Sequence, residues 1–159
     1  MSPPEQQRDP VSGLGTARTT APASGSALPE IVVSAVALVR DRRVLMVTAR
    51  GRDVLYMPGG KVDPGESAAE AASREAREEI DLELAPEGLR ELFTVRVQAH
   101  GEPQGRLVRM AVFEASSPAE PRASAEVSEL HWVTTADAAR CPPAGRETLL
   151  RLEALGLID

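Results

Sequence analysis

Residues 31–40, IVVSAVALVR, are β-branched and almost continuously apolar, the pattern of a strand covered on both faces. Asp41-Arg42-Arg43 breaks the run with a turn, and VLMVTAR resumes it as the returning strand of a hairpin. Farther on, RELFTVRVQAH alternates so that Phe93, Val95, Val97 and Ala99 share one face. After a GEPQG turn, RLVRMAVFEAS sets Val108, Met110 and Val112 on one face and Leu107, Ala111 and Phe113 on the other, which predicts a second hairpin. ELHWVT predicts a short strand and TADAA a brief helical turn capped by Thr135. CPPAGRETLLRLEALGL predicts an amphipathic helix with Leu149, Leu152 and Leu155 on its apolar face.

Between these strands the pattern changes to MPGGKVDPGESAAEAASREAREEIDL, residues 57–82. Pro58-Gly59-Gly60 and Asp63-Pro64-Gly65 predict two turns, and Ser67 with Glu70 three residues on predicts a helix start closed by a capping box. At about 100° per residue, Ala69, Ala72, Ala76 and Ile80 form a small apolar stripe suited to docking on a sheet. Glu75, Glu78 and Glu79 share a different face at i, i+3 and i+4. Like charges so spaced weaken a helix by about 0.2–0.5 kcal/mol per pair, a conflict that a bound divalent cation would remove. Arg74 lies four residues before Glu78, within reach to steady it.

Composition narrows the chemistry. At 159 residues the chain predicts one domain with a real core. Residues 1–29, rich in Pro, Gly, Ser, Thr and Ala and free of aromatics, predict a flexible N-terminal tail ahead of a folded domain at 30–159. A net charge of -6 disfavours a nucleic-acid partner held by basic surface, so a polyphosphate ligand would need metal ions. The one cysteine, Cys141, permits neither an intramolecular disulfide nor a cysteine-based zinc site. No apolar run is long enough to span a membrane, and the polar, Pro-rich start lacks a signal-type hydrophobic stretch. A cytoplasmic location is therefore expected, without a membrane partner.

From Gly60 to Leu82 the chain resembles the Nudix box: Gly, five residues, Glu, seven residues, Arg-Glu, an aliphatic residue, any residue, Glu-Glu, any residue, Gly, an aliphatic residue. The matching positions are Gly60, Glu66, Arg74, Glu75, Ala76, Glu78, Glu79 and Leu82, with Asp81 where the family has Gly. Ala76 is smaller than the usual Leu or Val and should let the helix sit closer to the sheet. Asp81 should tolerate the left-handed conformation of a helix end at modest cost. The resemblance implies an α/β fold, the Nudix α/β/α sandwich with a mixed central sheet.

The resemblance also implies a site. Mg²⁺, or Mn²⁺ in its place, would be held by the carbonyl of Gly60 and by Glu75, Glu78 and Glu79. Arg74 and Glu66 would orient those carboxylates, and Glu79 or Glu78 would polarise the attacking water. Some family members take a further Glu from a loop near the end of the sheet; Glu126 is the first candidate here, then Glu129 and Glu114. Arg50 is a candidate phosphate contact because its planar fork matches phosphate oxygens, and Lys61 is another, with a solvated surface charge as the competing reading for both. His100 and His131 are expected to serve only surface or packing, Trp132 to belong to the core, and Tyr56 either to stack near a ligand or to fix the turn.

The implied function is Mg²⁺-dependent cleavage of the phosphoanhydride in a nucleoside diphosphate linked to another moiety. The favoured substrate is a (deoxy)nucleoside triphosphate split to monophosphate and pyrophosphate. Small size without insertions is similar to the MutT-type members. Around Arg96–Gln98 the chain lacks the Pro or Tyr that marks some ADP-ribose or diadenosine-polyphosphate hydrolases. Gly145 falls where a polar side chain would help select oxidised guanine, so that specificity is not expected from the sequence. The alternatives are a non-catalytic Nudix-fold module that binds a nucleotide, toward which Asp81 leans, and a hydrolase of another diphosphate such as ADP-ribose. The expected partner is thus a small-molecule nucleotide; a homodimer stays open.

Overall fold

The computed structural model describes residues 27–159. The expected tail, 1–29, lies outside the described residues except for 27–29. The first strand, β1 (Ile31–Arg40), shows why the fold has two cores. Its buried side chains alternate: Ala35 and Ala37 enter one apolar cluster, Val36 and Leu38 the other. The second strand, β2 (Arg43–Ala49), repeats the division, with Val44 and Met46 on one side and Leu45 and Val47 on the other. A continuous apolar run therefore marks a strand buried on both faces, as the sequence implies.

The turn between them is Asp41-Arg42, both with positive φ (48° and 59°), the requirement of a two-residue type I′ hairpin. Arg43 belongs to β2 rather than to the turn. The pairing is shorter than a full hairpin: β1 and β2 are matched only at Val39↔Val44 and Arg40↔Arg43, then diverge. Beyond that point β1 pairs in parallel with β6 (Leu107–Ala115), from Ile31↔Val108 to Leu38↔Ala115. β2 turns to β3 (Leu55–Tyr56) and β7 (Val127–Val133), both antiparallel. β5 (Arg90–Gln98) forms the expected antiparallel hairpin with β6. The result is a mixed seven-stranded sheet, which splits at the foot of β1 and β2.

One expected turn is a strand instead. Gly59–Lys61 is β4, antiparallel to β1 through Ser34↔Gly60 and Ala35↔Gly59. A Cβ at Gly59 would stand 2.2 Å from the Ser34 carbonyl oxygen and 2.7 Å from Ala35 Cα, so only glycine lets this strand pair there. The following turn holds: Glu66 N–H donates to Asp63 O at 3.1 Å, and Gly65 has φ +80° after Pro64, as a type II turn requires.

Helix α1 (Ala68–Ile80) is capped as the sequence predicts. Glu70 N–H donates to Ser67 Oγ at 3.1 Å and Ser67 N–H to Glu70 Oε2 at 2.7 Å. Asp81 ends it in the left-handed conformation, φ 54°, the role the glycine position has in the motif. Ala72, Ala76 and Ile80 are fully buried against Val36, Leu38, Leu45 and Phe113. Burial of an aliphatic side chain the size of Ile80 stabilises by roughly 1.5–3 kcal/mol. Ala69 is only half-buried at the helix start, while Ala71, one turn before Glu75 on the acidic side, is fully buried. That side, too, packs against protein, because α1 contacts β4 as well as β1.

The opposite face carries α2 (Pro143–Ala154), whose Leu149 and Leu152 join Ala35, Met46, Met110 and Val112. Helices on both faces complete the α/β/α arrangement. Two details differ from expectation. The 3-10 turn at Thr135–Arg140 is capped by Thr134, paired with Asp137; Thr135 instead bonds the Asp159 carbonyl through its hydroxyl at 3.2 Å. Leu155 lies past the end of α2 and is exposed, and Gly145 and Thr148 take its place on the buried face.

Candidate active site

The site grows from the meeting of α1 with β4. A Cβ at Gly60 would come 2.2 Å from Glu75 Oε1, so the carboxylate lies against bare backbone. Arg74 organises the acidic side of the helix. Its Nε and Nη2 donate to Glu66 Oε1 and Oε2 at 2.8 and 3.0 Å, a two-pronged pair. Nη1 donates to Glu75 Oε1 at 2.8 Å and to Glu78 Oε2 at 3.4 Å, and Nη2 also reaches the Lys61 carbonyl at 3.1 Å. Glu66 accepts in addition the Asp63 N–H at 3.0 Å. The Arg74 hydrogen bonds, helped by that amide, hold the Glu66 carboxyl down at about 2, and the same pairing raises the Arg74 guanidinium.

Glu79 lives in a different environment. It accepts the Gly59 N–H at 3.0 Å and turns toward the sheet. Burial pushes its carboxyl up to about 7; the Gly59 amide opposes this, while the charges of Glu75, Glu78 and Glu126 add to it. Glu78, by contrast, is 48% exposed. Among the described residues, no three His, Cys, Asp or Glu side chains stand ready to hold a metal ion: Arg74 draws Glu75 and Glu78 one way and Gly59 draws Glu79 another. The donors themselves suit a hard divalent cation, since carboxylate oxygens and a main-chain carbonyl are what Mg²⁺ prefers. The absence of a side chain at Gly60 leaves its backbone approachable, and the mutual repulsion felt at Glu79 is what a cation would relieve.

Beside this junction is a cavity of about 350 Å³ bordered by Glu79, Glu126, Tyr56, His100 and aliphatic side chains of β1, β2 and β6. Glu126 arrives there on the loop before β7, which is fastened at several points. Arg122 N–H donates to Ile80 O at 2.9 Å, Ser124 N–H to Glu79 O at 3.0 Å, and Arg50 N–H to Glu126 O at 3.2 Å. Of the three loop-glutamate candidates, only Glu126 borders the cavity. Glu114 pairs with Arg90, and Glu129 is exposed beside His131, 3.6 Å away. Arg50 stands at a neighbouring depression with Glu126. At Lys61 it is the carbonyl, not the exposed ammonium, that joins the Arg74 network.

Trp132 is half-buried on the α1 side, under the Arg40 guanidinium, 5.5 Å from its ring centre, so it packs rather than lining the cavity. His131 bonds Thr48 Oγ1 at 3.2 Å, a packing role. His100 departs from expectation: it borders the cavity edge-on to Tyr56, ring centres 6.5 Å apart. Nothing in its spacing signals this, because the β5–β6 turn brings it there from across the sheet.

A mixed sheet between helices, with a glycine strand set against a helix of paired carboxylates, defines a Nudix-type architecture. The NUDIX domain model matches residues 29–152, and the chain belongs to the NUDIX family. The chain is 42% identical over 50 residues to a Bacillus subtilis (strain 168) protein named "Putative 8-oxo-dGTP diphosphatase"; the match covers 31% of this chain and 34% of that protein's length. The solution structure of the E. coli ORF135 protein is similar with a TM-score of 0.64 at 25% identity, covering 79% of this chain and 90% of that one. The crystal structure of a MutT NUDIX hydrolase from Burkholderia pseudomallei is similar with a TM-score of 0.61 at 26% identity, covering 79% and 98%. No helix among the described residues is long and apolar enough to cross a membrane.

Proposed function

We propose that the chain is a divalent-metal-dependent hydrolase of nucleoside diphosphate derivatives, acting on (deoxy)nucleoside triphosphates to give the monophosphate and pyrophosphate. The observation that carries this reading is the position of Glu79. It is half-buried, fixed by the Gly59 amide, and borders a cavity of about 350 Å³ that also receives Glu126. A carboxylate so held can take a proton from a water directed at a bound phosphate. Glu78 does not border that cavity, so water activation is assigned to Glu79. Glu126, which borders the same cavity, would be the second carboxylate near that water.

The metal, Mg²⁺ or Mn²⁺, would be held by Gly60 O, Glu75, Glu78 and Glu79, and would neutralise phosphate charge and lower the barrier to anhydride cleavage. Arg74 would keep Glu75 and Glu78 on the correct side of the helix, with Glu66 holding Arg74 in turn. Arg50 would meet the outer phosphates beside Glu126, and Lys61 lies on the same glycine strand. The 50-residue similarity to the protein named a putative 8-oxo-dGTP diphosphatase and the likeness to the MutT-named structure from Burkholderia pseudomallei support the triphosphate reading. The test is a panel of nucleoside triphosphates and nucleoside diphosphate derivatives with Mg²⁺ or Mn²⁺. Release of pyrophosphate and monophosphate supports it; absence of any product with either metal overturns it.

A further inference from the structure

Apart from its two carboxylates, the cavity is lined mainly by aliphatic side chains such as Val33, Ala49, Val108 and Met110, and α2 begins there with Ala144 and Gly145, which bring no polar side chain. A site that reads a base by its edge needs several donors and acceptors set against that edge, and a pocket walled mainly by aliphatic side chains discriminates weakly between edges. Two rings remain. Tyr56 is held in β3 by pairing with Val47. His100 is held at the β5–β6 turn, where its neighbour Ala99 N–H donates to Arg106 O at 2.9 Å. Their planes stand 69° apart, so the pair forms a corner rather than a sandwich. A flat ring can lie on one of these faces while the other ring meets its edge.

We propose that Tyr56 and His100 determine specificity by receiving the nucleobase in this corner. Selection is then by the flat face of the base, with little preference among edge patterns. The substrates are nucleotides of several bases, with no strong preference for oxidised over ordinary guanine. This rests on the nucleotide-hydrolase reading for its substrate class, but binding in the corner requires neither metal nor turnover.

The experiment is an NMR titration of the full chain, without metal, using adenosine, guanosine, 8-oxoguanosine and cytidine, with ribose as the base-free control and the His100 ring protons as the reporter. The four nucleosides are expected to bind within about tenfold of one another and to shift the His100 ring, with ribose at least roughly tenfold weaker. His100→Ala should weaken every nucleoside about tenfold, the scale of one base–aromatic stack, and His100→Phe should restore binding. Tyr56→Leu should act like His100→Ala; if it fails to fold, the His100 pair at an exposed turn decides. The corner is overturned if no nucleoside binds at millimolar concentration, if 8-oxoguanosine binds more than about a hundredfold tighter than guanosine, or if His100→Ala changes nothing. Nucleosides binding as expected to a chain that hydrolyses no triphosphate would sink the hydrolase reading alone. Triphosphate hydrolysis with His100→Ala binding unchanged would sink the corner alone.

Discussion

The amide of Gly59 donates to Glu79 Oε2 at 3.0 Å, tying the glycine strand to the half-buried carboxylate that borders the cavity. Replacing Glu79 by Gln keeps an acceptor for that amide but removes the base. Turnover of the best substrate should fall by roughly 10²–10⁴-fold with the melting temperature preserved, and Glu78→Gln should also lose most activity through the metal. Steady-state kinetics beside thermal melts would check this; full activity in both variants would overturn the site assignment.

The same carboxyl gives a pH signature. Its pKa in the metal-free fold is raised to about 7 from the ordinary 4.5. The associated stability is therefore present below about pH 4.5 and lost as pH rises through about 7. Metal-free protein should melt at a lower temperature at pH 8 than at pH 6, and Mg²⁺ should raise the melting temperature more at pH 8. An equal Mg²⁺ effect at both pH values would argue against a carboxylate site.

Glu66 should behave in the opposite sense. Its pKa is lowered to about 2 from 4.5, so its stabilising pair with Arg74 is present above about pH 4.5 and lost as pH falls through about 2. Glu66→Gln should lower the melting temperature at pH 7, and the gap from wild type should close in acid. Circular dichroism melts across pH 2–7 would reveal whether the two curves converge.

The adjacent glycines should separate stability from activity. At Gly59 an added Cβ meets main-chain atoms of Ser34 and Ala35 at 2.2–2.7 Å, so Gly59→Ala should cost on the order of 3 kcal/mol. At Gly60 the added Cβ meets only the end of the Glu75 side chain, which can swing away. Gly60→Ala should fold nearly as well as wild type yet lose activity. Denaturant unfolding and kinetics on the pair would test this; similar stabilities for the two variants would contradict the packing of β4 on β1.

Cys141 should be silent in the native state. It is buried beside Met46, and burial pushes its thiol up to about 11, so little thiolate exists at pH 8. A thiol reagent such as DTNB should react with this cysteine only once the protein unfolds.

Much of the architecture was legible because hydrophobic pattern is local. The two-faced burial of β1 and the capping box at Ser67 each follow from a few adjacent residues, and the left-handed end at Asp81 from its place in the family motif. The strand at Gly59–Lys61 was not legible, since what makes it a strand is the neighbouring backbone of Ser34 and Ala35, not its own side chains. The splitting of the sheet escaped for a similar reason: a parallel match between residues 31–38 and 108–115 leaves no trace in either stretch alone. Within the candidate site, spacing sufficed to set Arg74 beside Glu78 one turn on, while the pairing of Arg74 with Glu66, which precedes the helix, came with the family resemblance. His100 was missed because only the fold brings it to Tyr56.

The loop carrying Glu126 has a mechanical consequence. Its amides at Arg122 and Ser124 occupy the carbonyls of Ile80 and Glu79, groups that the end of a helix otherwise leaves without partners. The loop and the last turn of α1 are thus laced together, and the spacing between Glu79 and Glu126 is set by main-chain bonds rather than by side-chain reach. Lengthening the loop would leave both carboxylates intact and still put them out of step, so this segment acts as a ruler for the site.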